Sequence, residues 1–125
     1  MVVTRHFEIR STGKAEPLAV TSQIERLVRS SGLVNGMVHV FVPGTGCSLL
    51  SVECPGGNLQ AVEDVIAELL KLSSHPATLS NLAPSSFSLP FVKGQLQRST
   101  WQEILLVDFL SEERWHQIVV QLIGE

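Results

Sequence analysis

Residues 86–109 read SFSLPFVKGQLQRSTWQEILLVDF, and this stretch decides the fold. Two runs of strand-forming residues flank Lys93-Gly94. That pair suits a tight turn, because Gly takes positive φ at little steric cost. The second run opens with Thr100-Trp101-Gln102, two polar groups beside a large aromatic, and passes into Ile104-Leu105-Leu106-Val107. A short, continuous apolar run of this kind is a strand buried on both faces. The stretch therefore predicts a core hairpin with an aromatic and an amide at the start of its second strand.

Upstream, residues 2–10 alternate Val3, Phe7 and Ile9 with polar neighbours, the period of a half-buried strand. Pro17-Leu18-Ala19-Val20 is a short edge strand. Ser22, with Glu25 three residues on, predicts a capped helix carrying Ile24, Leu27 and Val28 on one stripe and stopped by Gly32. Residues 37–42 are apolar at most positions, as a strand covered on both sides would be. Residues 47–53 form the next strand. A second helix follows, capped by Asn58, with Leu59, Val62, Val65, Ile66, Leu69 and Leu70 at helical spacing. Residues 73–85 read as an ordered loop with one helical turn at 77–82. A last strand, 115–123, is expected to return antiparallel across Ser111-Glu112-Glu113-Arg114. The order lacks βαβ alternation and predicts an α+β class, a mostly antiparallel β-sandwich-like core with two helices packed on it.

Composition bounds the function. The chain has 125 residues, one domain's length, with 44% hydrophobic and 17% charged residues. About 25% charged is ordinary, so part of the surface is expected to lie against another subunit. Net charge is −3 and no Lys/Arg cluster exists, which argues against a nucleic-acid backbone as partner. Apolar runs fall short of the roughly 20 residues of a membrane span. MVVTRHFEIRS lacks the apolar core of a signal peptide, so a cytoplasmic chain with reduced Cys47 and Cys54 is expected.

The chemistry-bearing residues are sparse. His6, His39, His75 and His116 have no ligand spacing, so neither a metal nor another cofactor is expected. His39 shares a strand face with Phe41 and reads as a core or interface histidine. His75 with Glu53 is the best remaining pair, but it lacks a third ligand, and His75 reads first as a solvated loop residue. Residues 43–48, PGTGCS, form a turn whose amides suit an anion, although the P-loop ending is missing. A Cys47 nucleophile would need a neighbouring base. None can be placed from sequence, which leaves Cys47 as a small buried residue. Trp101 either walls a pocket, with Gln102 donating and accepting beside it, or fills the core with its indole N–H satisfied. Glu103 and Asp108 fall on opposite strand faces and cannot pair with each other.

Four segments resemble the YjbQ-like family, the secondary thiamine-phosphate synthase proteins. They are GMVHVFVPGTGCSLLSVECP, the helix after it, SSFSLPFVKGQL, and STWQEILLVDF followed by a strand ending IVVQLIGE. The resemblance implies a small α+β domain, a homotrimer, and a site at subunit contacts acting on a phosphorylated small molecule or anion. The family pattern has a histidine where this chain has Gly44. Thr45 matches the hydroxyl after it, and Gly46 replaces a second. Glu53 matches, as do Thr100, Trp101 and Gln102, while Ser99 stands where the family prefers Gly. A second family histidine falls on Ala77, with His75 two residues away. The chain is thus similar to a degenerate member lacking the family's histidines. On that reading it is a binding or structural protein with a residual pocket at Thr45, Gly46, Trp101 and Gln102. The alternative is an active enzyme of the thiamine-phosphate synthase type, with His75 and Glu53 as its catalytic pair.

Overall fold

Strand-forming runs separated by Gly, Pro and Ser dominate the chain, and they assemble as two antiparallel sheets. The computed structural model describes residues 1–44, 46–72, 74–76, 78 and 83–125. In order, the elements are β1 (Val2–Arg10), β2 (Leu18–Ala19), α1 (Thr21–Ser30), β3 (Gly36–Phe41), β4 (Cys47–Glu53), a 3-10 turn (Pro55–Gly57) and α2 (Gln60–Leu72). β5 (Ser86–Val92), β6 (Gln95–Leu96), β7 (Gln102–Asp108) and β8 (Trp115–Gly124) follow. The larger sheet has the order β1-β8-β3-β5-β6 and the smaller one β2-β7-β4. The class is α+β, as the sequence predicts. Of the helical turn expected at 77–82, Thr78 is described and is helical, and the other positions lie outside the described residues.

The stretch at 86–109 is not one hairpin. β5 turns at Lys93 and Gly94, both at positive φ, into the two-residue β6. β7 then joins the other sheet, between β2 and β4. Residues 97–101 bridge the two sheets, so the tight turn belongs to one sheet and the buried strand to the other. The final strand also differs from expectation. β8 does not fold back on β7; it crosses to pair with β1 and β3, with Val40 opposite Val120 and His6 opposite Val119.

β7 is buried on both faces, as its apolar run requires. Ile104 and Leu106 enter the main core with Val38, Val40, Leu49, Phe91, Ile118 and Val120, beside Ile24 and Val28 of α1. Val107 enters a second cluster with Phe109 and Ile66, under α2. The smaller sheet is therefore the middle layer of the molecule. α1 is not capped by Ser22: Thr21 Oγ1 donates instead to Glu103 Oε2 at 2.5 Å and accepts from the Ile104 amide at 2.9 Å. Glu25 pairs with Arg98 at 3.0 Å and so completes no capping box. Asn58 does hold the start of α2, its Oδ1 accepting from the Gln60 amide at 2.9 Å.

β3 is central in its sheet but covered on one face only. Met37, His39 and Phe41 are exposed. Sheet register sets Val2, Ile123, Met37 and Pro90 in one row across that open face. The exposed residues of β3, β5 and β8 include no Asp, Glu, Lys or Arg. α2 covers the opposite side loosely, leaving an apolar groove of about 540 Å³ lined by Leu50, Val62, Val65, Leu69 and Phe109. Sequence periodicity marks these positions as apolar without saying whether this chain or another covers them. Among the described residues, no helix is long and apolar enough to cross a membrane.

The layering predicts two different substitution costs. Leu106→Ala should lose about 2–5 kcal/mol in urea unfolding, from lost transfer energy and the cavity left behind. Val65→Ala, on the exposed side of α2, should lose less than about 0.5 kcal/mol in the monomeric unit.

Candidate functional site

A buried carboxylate marks the site. Asp108 closes β7 with 2% of its surface exposed, and a buried charge needs paired charge and hydrogen bonds. Arg114 supplies both: its Nε donates to Oδ2 at 2.7 Å and its Nη2 to Oδ1 at 3.3 Å. The Leu110 amide donates to Oδ1 at 3.0 Å. These bonds fix the connection that carries the chain from the smaller sheet to the larger one. His116, the second residue of β8, then arrives with Nε2 at 3.3 Å from Oδ2 and 3.1 Å from Ser11 Oγ. On the other side of the ring, Nδ1 lies 3.2 Å from Cys47 Sγ, and Arg114 Nη2 lies 3.3 Å from the same sulfur.

The protons follow from the acceptors. An ionised carboxylate only accepts. Ser11 commits its hydroxyl proton to the Glu112 carbonyl at 2.6 Å, so towards His116 it also accepts. Nε2 therefore carries the imidazole proton. Burial holds the His116 pKa below the ordinary 6.5, aided by the Arg114 charge and opposed by Asp108, so the ring is neutral at pH 7. Nδ1 is then a bare lone pair facing the thiol. Burial pushes the Cys47 thiol above its ordinary 9.0, and the Asp108 charge adds to this while Arg114 opposes it. The hydrogen bond to Asp108 raises the pKa of Arg114, which stays charged. The resting state is a neutral thiol, a neutral imidazole and one ion pair.

Cys47, Asp108 and His116 are the kinds of residue that hold a soft divalent ion, and one atom from each lies within 4.8 Å of the others. The arrangement does not suit one ion. Cys47 faces Nδ1 and Asp108 faces Nε2, on different edges of the ring, and the Arg114 guanidinium bridges the thiol and the carboxylate.

Sequence reasoning missed this base. Period-two alternation in β8 sets His116 in phase with the buried Ile118, Val120 and Leu122, so its inward direction was legible. The pairing with Cys47, 69 residues away, needs the crossing from β7 to β8 and was not.

The residues singled out in the sequence fall at two ends of the smaller sheet. Gly46 lies beside the cluster, at φ +82°, its carbonyl accepting from the Phe109 amide at 2.8 Å while Leu110 covers its Cα. Gly44, at φ +128°, and Gly46 line a cavity of about 200 Å³ with Phe41, Val42, Cys47 and Ser85. Thr45 lies outside the described residues, as does Ala77. Glu53 sits at the far end of β4, opposite Gln102. Six strand steps put it about 20 Å from Cys47. The Gln102 amide is occupied at both ends, donating to Ser51 Oγ at 2.5 Å and accepting from the Ser99 amide at 3.1 Å. Trp101 does not fill the core; it is 46% exposed, and its carbonyl accepts from the Cys54 amide at 2.7 Å. Thr100 borders a separate polar cavity of about 380 Å³ with Glu25, Arg29 and Arg98. His75 is exposed.

The pattern that defines the YjbQ-like UPF0047 proteins matches residues 5–125, and the chain belongs to that family. A UPF0047 protein of Methanothermobacter thermautotrophicus is 24% identical, with 99% of this chain and 94% of that protein aligned. One from Archaeoglobus fulgidus is 29% identical over 81% of this chain and 86% of its own length. Among solved structures, a YbjQ-like protein of unknown function from Sulfolobus solfataricus superposes with a TM-score of 0.86 at 25% identity, covering 100% and 99% of the two chains. A hypothetical protein from Aeropyrum pernix gives 0.85 at 28% identity, covering 98% and 99%.

The buried imidazole predicts a pH dependence. Its folded pKa lies below the unfolded value, so the unfolded chain takes up the proton first as pH falls. The stability it contributes is complete above pH 6.5 and is lost as pH drops from there through the folded value. Thermal unfolding should weaken more steeply below pH 6.5 in the natural chain than in His116→Gln. Parallel profiles would contradict the assignment of a neutral ring.

Proposed function

We propose that this YjbQ-like protein is a cytoplasmic binding or structural homo-oligomer, a trimer by family resemblance, that has given up the family's histidine chemistry. The observation that carries this reading is Gly44. It stands where the resemblance puts a family histidine, and its φ of +128° is a conformation that side-chain-bearing residues rarely adopt. A histidine at this position would be strained in the present loop backbone, which fits a site that no longer carries one. The second family position holds Ala77, and His75 is exposed.

The surface supports self-association. The open sheet face keeps its charged groups, Glu8 and Arg10, on the β1 edge, and its apolar row is an expensive surface to leave in water and a suitable one to bury against a second copy. The separation of Gly46 from Glu53, Trp101 and Gln102 supports the same conclusion. Within one chain these residues cannot share a ligand. Only a neighbouring subunit could bring one set to the other, and the ligand best suited to the glycine turn amides is a small anion or phosphorylated molecule.

Two measurements test this. In solution the mass should be near three chains of 13.7 kDa, and a concentration-independent monomer would contradict the assembly. The purified protein should form no thiamine phosphate above background. Activity that disappears in His75→Ala would overturn the reading in favour of an active enzyme of the thiamine-phosphate synthase type.

A further inference from the structure

We propose that Cys47 is a thiol that reacts with small hydroperoxides, with His116 as its base, Arg114 as the cation beside the sulfur and Asp108 as the residue that positions both. The proposal rests on geometry at one end of the sandwich. Sγ has a bare imidazole nitrogen at 3.2 Å and a guanidinium nitrogen at 3.3 Å. The far nitrogen of the same imidazole is held by Asp108 and Ser11 at 3.3 and 3.1 Å. A thiol activated by a base that a third group orients is the general arrangement of nucleophilic cysteines. Burial alone would make the thiol inert. Here the thiol stays protonated at rest, but a base already lies in hydrogen-bonding reach to take the proton and a cation is placed to receive the thiolate charge.

The sulfur has an approach. Cys47 lines the cavity of about 200 Å³ together with Val42, Gly44, Gly46 and Ser85. A Cβ built on Gly44 would come within 3.9 Å of Sγ, so the glycine leaves this side of the sulfur uncovered. With Cys47 only 4% exposed, the reagent must be small, which favours a hydroperoxide over a peptide or a nucleotide.

The chemistry balances without another group. His116 Nδ1 takes the thiol proton. The thiolate attacks the terminal oxygen of ROOH, the S–O bond forms and the O–O bond breaks. The leaving RO⁻ takes the proton back from Nδ1–H as ROH. Sulfur is oxidised to the sulfenic acid Cys47–SOH and the peroxide is reduced to an alcohol, or to water when R is hydrogen. Cys54, at the other end of β4 about 23 Å away by strand rise, is too distant to form a disulfide with it. Reduction therefore needs a thiol from another molecule.

Cys54 supplies the internal control. It is as buried as Cys47, at 1%, and burial raises its thiol too, but the bond recorded for its sulfur is to the Val52 carbonyl at 4.0 Å rather than to a base. The folded full chain is treated with hydrogen peroxide, aliquots are quenched with catalase and unfolded in urea containing dimedone, and each cysteine peptide is quantified by mass spectrometry over time. Cys47 should be trapped about a hundredfold faster than Cys54, the lower end of what a positioned base contributes. With the peroxide added to the chain already in urea, the two should react alike. His116→Gln should bring Cys47 down to the Cys54 rate. Equal rates for the two cysteines in the folded natural chain would overturn the proposal, and that comparison needs no variant. A natively folded His116→Gln with an unchanged Cys47 rate would overturn it as well.

Discussion

A carboxylate that is out of water must be neutralised where it stands, and Asp108 imposes that demand on the whole molecule. It sits at the last position of the most buried strand, where the smaller sheet ends and the chain must cross back to the larger one. Arg114 meets the demand with two hydrogen bonds to the carboxylate and so anchors the connection between β7 and β8. Ser11, at the end of β1, ties into the same connection through the Glu112 and Arg114 carbonyls. One ion pair thus joins both sheets at one end of the sandwich. The direction in which β8 enters its sheet, and with it the inward placing of His116, depends on that pair.

The same constraint explains why a thiol and an imidazole meet here. Cys47 pairs with Asp108 across the strands, and His116 follows Arg114 by two residues. Once the ion pair is fixed, both side chains point at it from opposite sheets. The Glu53 end of β4 is ordered by a more exposed pair, Arg98 with Glu25, from which Arg98 donates to the Gln102 carbonyl at 2.9 Å. That end carries Trp101, Gln102 and Glu53 near the surface, held by turn hydrogen bonds. The two ends of one sheet therefore differ in kind, one a dry polar cluster and the other a solvated rim.

Local features were the most legible in the sequence. The period of β1, the apolar run of β7, the helical stripe of α2 and the Lys93-Gly94 turn all follow from nearest-neighbour sterics and side-chain direction. Partner choice was less legible. Residues 86–109 contain a genuine tight turn, but it closes on β6 rather than β7, because Gln97 to Trp101 carry the chain between sheets. β3 is apolar on both sides, yet only one side is covered within the chain. Hydropathy records that a surface is to be dried, not by what. The candidate cluster was the least legible part. In the sequence Asp108 reads only as a strand residue facing away from Glu103, Arg114 only as the end of the 111–114 connection, and His116 has no neighbour to suggest a role. Its meaning depends on two strand crossings that no local pattern encodes.

The central claim is a directional hydrogen-bond chain, from the Cys47 thiol to Nδ1 of a neutral His116 and from its Nε2–H to Asp108. Long-range proton-nitrogen NMR of the histidine rings at neutral pH reads it directly, with His116→Gln used to assign the signals. The account predicts that His116 carries its proton on Nε2, has an unprotonated Nδ1, and stays in that form to below pH 6.5. A ring protonated on Nδ1, or one charged at pH 7, would contradict it.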